Sequence, residues 1–104
     1  MIVKTVKKGR KYYLEDSDRF LHGGYDEVGY IQEGFFVVKI DNKYYYVDEE
    51  KCQLHDGENG EGYDYACGFC GGFGIVRKAG KWYYIDKDFK LHGNGYDNIN
   101  STEI

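Results

Sequence analysis

The sequence predicts an all-β fold, about three β-hairpin repeats coiled into a short solenoid or a closed barrel-like ring. Three observations carry that prediction. First, one pattern fills the chain three times: residues 72–97 read GFGIVRKAGKWYYIDKDFKLHGNGYD, residues 34–64 repeat it with an insertion, and residues 3–26 hold a worn copy. A unit this small cannot bury its own apolar face, so it must stack on its neighbours. Second, apolar and polar residues alternate about two-residue turns, which is the hairpin signature. Third, glycine interrupts any 3.6-residue period within a turn or two, and helix-favouring Ala and Leu are few.

In the first copy the chain enters strand alternation at once, with Gly9 supplying the turn one residue out of step with the other copies. The polar cluster Asp16-Ser17-Asp18 reads as a turn, followed by Leu21-His22 and then Tyr25-Asp26. In the second copy Asp41-Asn42 takes the turn, since both residues tolerate the left-handed region. Asp48-Glu49-Glu50, Leu54-His55 and Tyr63-Asp64 follow, and the insertion DGENGEG at residues 56–62 is expected to be an exposed, mobile loop.

The third copy is the cleanest. Its turn is Ala79-Gly80, which sets Arg77 opposite Trp82, Val76 opposite Tyr83 and Ile75 opposite Tyr84. Both faces of that hairpin are apolar, as expected of a hairpin sandwiched between neighbours. Asp86-Lys87-Asp88, Leu91-His92 and Tyr96-Asp97 complete it, and residues 98–104 read as a cap or chain end. We expect a single domain over residues 1–104, with repeat 1 at about 3–33, repeat 2 at about 34–71 and repeat 3 at about 72–104.

Twelve Tyr, fifteen Gly and no Pro make the core aromatic and shallow, because aliphatic residues are scarce. The formal net charge of −4 argues against a nucleic-acid partner, which would want a basic stripe. The local cluster Lys4, Lys7, Lys8, Arg10 and Lys11 reads as a solvated strand face. No apolar run approaches the ~20 residues of a membrane span. The odd cysteine count and the lack of a signal-peptide core point to a reducing, cytoplasmic setting.

Residues 72–86, GFGIVRKAGKWYYID, together with the connectors Tyr25-Asp26-Glu27-Val28 and Tyr63-Asp64-Tyr65-Ala66, resemble the bacterial WG-repeat family. The glycine of the family's Trp-Gly pair is Tyr83 here, and Tyr44 replaces Trp82 in the second copy. That resemblance implies a β-repeat fold and carries no catalytic residues. GKWYYIDKDFKLHGNGY is also similar to the aromatic repeats of choline- and cell-wall-binding modules, which bind ligands between stacked rings. Their repeats are shorter than the spacing of the Tyr-Asp pairs in this chain, which favours the WG pattern.

The aromatic rows are the best candidate surface. Tyr12, Tyr44, Tyr46, Trp82 and Tyr84 recur on one strand of each copy, and we expect them to bind another protein or, alternatively, a carbohydrate of the cell envelope. His22, His55 and His92 share one repeat slot. They would meet at a metal only if the copies closed about a threefold axis, and a shared turn ancestry explains them more simply. Cys67 and Cys70 form a C-x-x-C that lacks the helix N-terminus of a redox motif, so free thiols are expected; a set of three cysteines and a histidine, drawing on Cys52 and His55, is badly spaced. The acid pairs after each hairpin read as solvated turns, and residues 56–64 lack EF-hand spacing. No catalytic residue, metal or cofactor is expected, and a homodimer through unpaired strand edges is the oligomer the fold would favour.

Overall fold

The structure, a computed structural model, describes residues 1–55, 57 and 60–96, the side chains of Asn94 and Tyr96 excepted. The strands are β1 (Ile2–Lys8), β2 (Lys11–Asp16), β3 (Leu21–Tyr25), β4 (Glu27–Val28), β5 (Phe35–Ile40), β6 (Lys43–Asp48), β7 (Leu54–His55), β8 (Tyr65–Ala66), β9 (Phe73–Lys78), β10 (Lys81–Asp86) and β11 (Leu91–Tyr96). They form three antiparallel sheets, ordered β1-β2-β3, β4-β5-β6-β7 and β8-β9-β10-β11. No helix occurs among the described residues. Three of the seven residues of the expected insertion loop (56, 58 and 59) and the chain from residue 97 to 104 lie outside the described residues.

Turn chemistry sets each hairpin. Asp41 and Asn42 both have positive φ, 49° and 67°, as do Ala79 and Gly80 at 51° and 78°. Two positive values in a two-residue loop are the type I′ pattern, whose twist matches that of the strands it joins. In the first hairpin Gly9 alone is positive, at 63°, and it stands first in its turn where Gly80 stands second. The resulting registers place Arg77 opposite Trp82, Val76 opposite Tyr83 and Ile75 opposite Tyr84, as the turn implied.

The turn after each hairpin recurs in all three copies, one residue longer in the second. Arg19, Cys52 and Phe89 adopt left-handed φ of 67°, 57° and 63°. Their amides donate to the carbonyls of Asp16, Asp48 and Asp86. The Asp16 carboxylate accepts the Asp18 and Phe20 amides, and Asp86 accepts those of Asp88 and Lys90. The connectors then run forward: β4 pairs with β5 and β8 with β9, so the short strand after each Tyr-Asp belongs to the next sheet.

Because side chains alternate across a strand, every sheet has two faces, and the sheets meet face to face. Leu14, Tyr25 and Ile2 of the first sheet pack on Phe36, Val38 and Val47 of the second. The opposite face of the second sheet, with Tyr46, packs on Ala66, Val76 and Ile85 of the third together with Tyr63 and Phe69. The middle sheet is thus sandwiched, whereas the third, whose two-faced hairpin led us to expect the same, is packed on one face only among the described residues. Residue sizes are matched across the two junctions. Phe36 faces the smaller Leu14, whereas Gly74, its equivalent in the third sheet, makes room for Tyr46.

The expected coiling is corrected here: neither a solenoid nor a closed barrel is present among the described residues. The sheets meet mainly through side chains, and the direct backbone link from β6 to the next connector is a single bridge, Tyr44 to Tyr63. A closed ring or continuous coil would need an unbroken ladder of such bonds.

Candidate functional site: the outer aromatic face of the third sheet

The position-four residues of the return strands, Leu14, Tyr46 and Tyr84, occupy one slot. Leu14 and Tyr46 are fully buried because the next sheet covers them. Tyr84 has no following sheet among the described residues, and neither buried cluster includes it. The face it belongs to carries Phe73, Ile75 and Tyr84, and Phe73 is 48% exposed. With Cys67 and His92 these residues line a cavity of about 630 Å³.

The next rung along the same face is aromatic and cationic. Register aligns Tyr65, Arg77 and Trp82 across β8, β9 and β10. The Arg77 guanidinium lies 5.8 Å from the Trp82 ring centre, and Tyr65 meets Trp82 edge-on at 5.7 Å. Tyr44 of the second sheet continues the row, 5.3 Å from Tyr65. At the other end His92 Nε2 is held 2.7 Å from Asp86 Oδ2, with its ring edge-on to Phe73. The result is an apolar floor edged by a guanidinium, an imidazole and ring edges. Such a surface stacks on a flat or aliphatic face and orients it through a few polar contacts.

The sequence candidates divide. Trp82 and Tyr84 lie on this face. Tyr44 stands half-buried at its far edge, and Tyr12 is half-buried beside Val28 and Val37 in a separate hollow of about 340 Å³. Tyr46 is removed from the binding surface: it is 0% exposed, its hydroxyl donates to the Cys67 carbonyl at 2.6 Å, and burial pushes its phenol far above the ordinary value. Ile75 and Arg77, which the turn register set opposite Tyr84 and Trp82, join them on this face, as do Tyr65 and Phe73, which the sequence reading did not name as binding residues.

The histidines do not converge. His22, His55 and His92 each sit by the aspartate of their own turn, Asp16, Asp48 and Asp86, at 2.8, 3.2 and 2.7 Å. The bond from His22 holds the Asp16 carboxyl below its usual range, and His92 does the same for Asp86. Cys67 is half-buried and Cys70 exposed; burial pushes the Cys67 thiol up, the reverse of what a reactive thiolate needs. Cys52 approaches His22 rather than His55. No helix of the described residues is long and apolar enough to cross a membrane.

A family model described as "Putative cell wall binding repeat" matches residues 76–88, the segment that spans the third hairpin turn and all of β10. No curated protein and no solved structure matches the chain.

Proposed function

We propose that the chain is a non-catalytic binding module that holds a carbohydrate of the cell envelope on the outer face of its third sheet. The observation that carries this reading is that face itself. Trp82, Tyr84 and Phe73 lie together on the face that, in the two preceding sheets, packs against the next sheet, and no further sheet follows it among the described residues. Pyranose rings offer flat C–H faces that stack on such rings, while Arg77 and His92 stand within the same surface to meet hydroxyl or anionic groups. The match to a cell wall binding repeat falls on the strand that bears Trp82 and Tyr84, which supports the same reading.

Ligand that binds only the folded protein raises its melting temperature, by about 2.7 kcal/mol of stability at a hundredfold excess over Kd. Wall-derived oligosaccharides should therefore stabilise the protein in a thermal-shift assay, and the Trp82→Ala/Tyr84→Ala double variant should lose that shift while keeping its own fold. Absence of any shift, together with no retention on purified cell walls, refutes the glycan reading.

A second reading has one observation in its favour. A Trp, two Tyr and an Arg clustered on one face are the residue types that dominate protein–protein hot spots. On that reading the partner is a protein, a cytoplasmic location fits the three free thiols, and the WG-repeat resemblance is the relevant kinship.

A further inference from the structure

We propose that Asp16, His22 and Cys52 form a binding site for a divalent transition metal of the zinc class at the junction of the first two sheets. One ligand atom from each of the three residues lies within 4.8 Å of the other two, and all three side chains are half-buried. Four donors about a tetrahedral zinc ion stand roughly 3.3–3.7 Å apart, so small side-chain rotations close the set.

The repeat itself shows why the site arises here and nowhere else among the described residues. Cys52 and Phe89 occupy one slot: both have left-handed φ, and both donate their amide to the aspartate carbonyl that closes the turn. At the junction of the second and third sheets, Phe89 lies flat on His55 of the preceding sheet, ring centres 4.0 Å apart and planes 14° apart. At the junction of the first and second sheets the equivalent residue is a cysteine, and its thiol comes up to His22 and Asp16 of the preceding sheet. A ring that caps one Asp–His pair is thus replaced by a metal donor at the other.

The remaining geometry suits a ligand set. Asp16 Oδ1 is occupied by the Asp18 and Phe20 amides, which fixes the carboxylate and leaves Oδ2 facing His22 Nε2. Carboxylates anchored in this way are the usual supports of metal sites. Backbone bonds from Ser17 to Met1 and from Ile2 to Glu49 tie the two turns together, so the donors come from a braced junction. A thiolate, an imidazole and a carboxylate select a borderline metal such as Zn²⁺, whereas Mg²⁺ and Ca²⁺ want oxygen donors throughout. On binding, the metal takes the place of the thiol proton, which leaves to solvent, and His22 presents a bare Nε2 with its ring proton on Nδ1, leaving a fourth position for water or a ligand atom.

The test uses the reduced full chain and the metals alone. Titration with Co²⁺ should give one equivalent of tetrahedral visible bands and a thiolate-to-cobalt charge-transfer band, all displaced by Zn²⁺. Cys52→Phe, which installs the ring found at the equivalent slot, should remove the charge-transfer band while the protein still folds. Cys52→Ser should weaken binding by on the order of a hundredfold. A Cys67→Ser/Cys70→Ser variant should bind as the parent does. Absence of the charge-transfer band in the parent overturns the proposal. So does its survival in Cys52→Phe, or its loss with the Cys67 and Cys70 thiols.

Discussion

Tyr46 and Gly74 show how single residues decide this fold. The ring of Tyr46 fills the space that a side chain at Gly74 would need: a Cβ there would stand 3.0 Å from the Tyr46 hydroxyl, 3.1 Å from the Cys67 carbonyl and 3.3 Å from Ile85. Tyr46→Phe deletes the hydroxyl and leaves the Cys67 carbonyl without that bond, at a cost of about 1–3 kcal/mol in denaturant melts. Gly74→Ala should destabilise as well, and less so in the Tyr46→Phe background, where the nearest clashing atom is gone. A double-mutant cycle reads that coupling directly. This detail was hidden in the sequence. Period-two alternation puts Tyr12, Tyr44 and Trp82 on the same face as Leu14, Tyr46 and Tyr84. Only the stacking order decides which of them are covered.

The repeated elements are held by charged staples that span neighbouring copies. Lys11 of β2 pairs with the Asp26 carboxylate, and Asp26 also accepts the Asp41 amide of the next hairpin turn at 2.8 Å. Lys43 and Asp64 repeat the device one copy later, with Gly80 as the turn amide. Lys11 and the Asp41 amide hold the Asp26 carboxyl below its usual value, and Lys43 does the same for Asp64. A carboxyl depressed in the folded state contributes stability above its unfolded pKa of about 3.9, and that contribution disappears as pH falls through the lower folded value. Melting temperature should therefore drop on acidification below about pH 4. Asp26→Asn/Asp64→Asn should melt lower at neutral pH and show a flatter acid limb.

Hairpins were legible at this scale because Asp41-Asn42 and Ala79-Gly80 fix register by turn geometry alone. The strands β4 and β8 were not, since two residues carry no alternation to read. Their pairing comes from backbone bonds such as Gly29 N–H to the Val37 carbonyl.

At the scale of the whole molecule, the order of three sheets makes the two ends different. The outer face of the first sheet is closed by polar groups, with Lys4 and Glu15 paired at 3.6 Å. The outer face of the third is apolar and carries Trp82, Tyr84 and Phe73. The middle sheet is covered on both sides, so amide exchange should be slowest in β5 and β6 and faster in the sheets at either end. Val76→Ala, at the junction of the second and third sheets, should cost on the order of 1–3 kcal/mol and speed exchange on both sides of that junction. Three copies and a stack were readable from the sequence. The different surroundings of Leu14, Tyr46 and Tyr84 were not, because equivalent residues look alike in sequence and differ only in what packs on them. The approach of Cys52 to His22 was hidden for the same reason: it joins residues of adjacent copies, thirty positions apart in the chain, through a slot that elsewhere holds Phe89.

Trp82 is the chain's single tryptophan and lies on the proposed binding face, so its fluorescence reports that face alone. The decisive measurement is a titration of Trp82 emission with soluble cell-wall oligosaccharides. The account predicts a saturable spectral shift that Tyr84→Ala abolishes. An emission spectrum that stays constant while the protein is retained on purified walls would place binding elsewhere and contradict the assignment of this face.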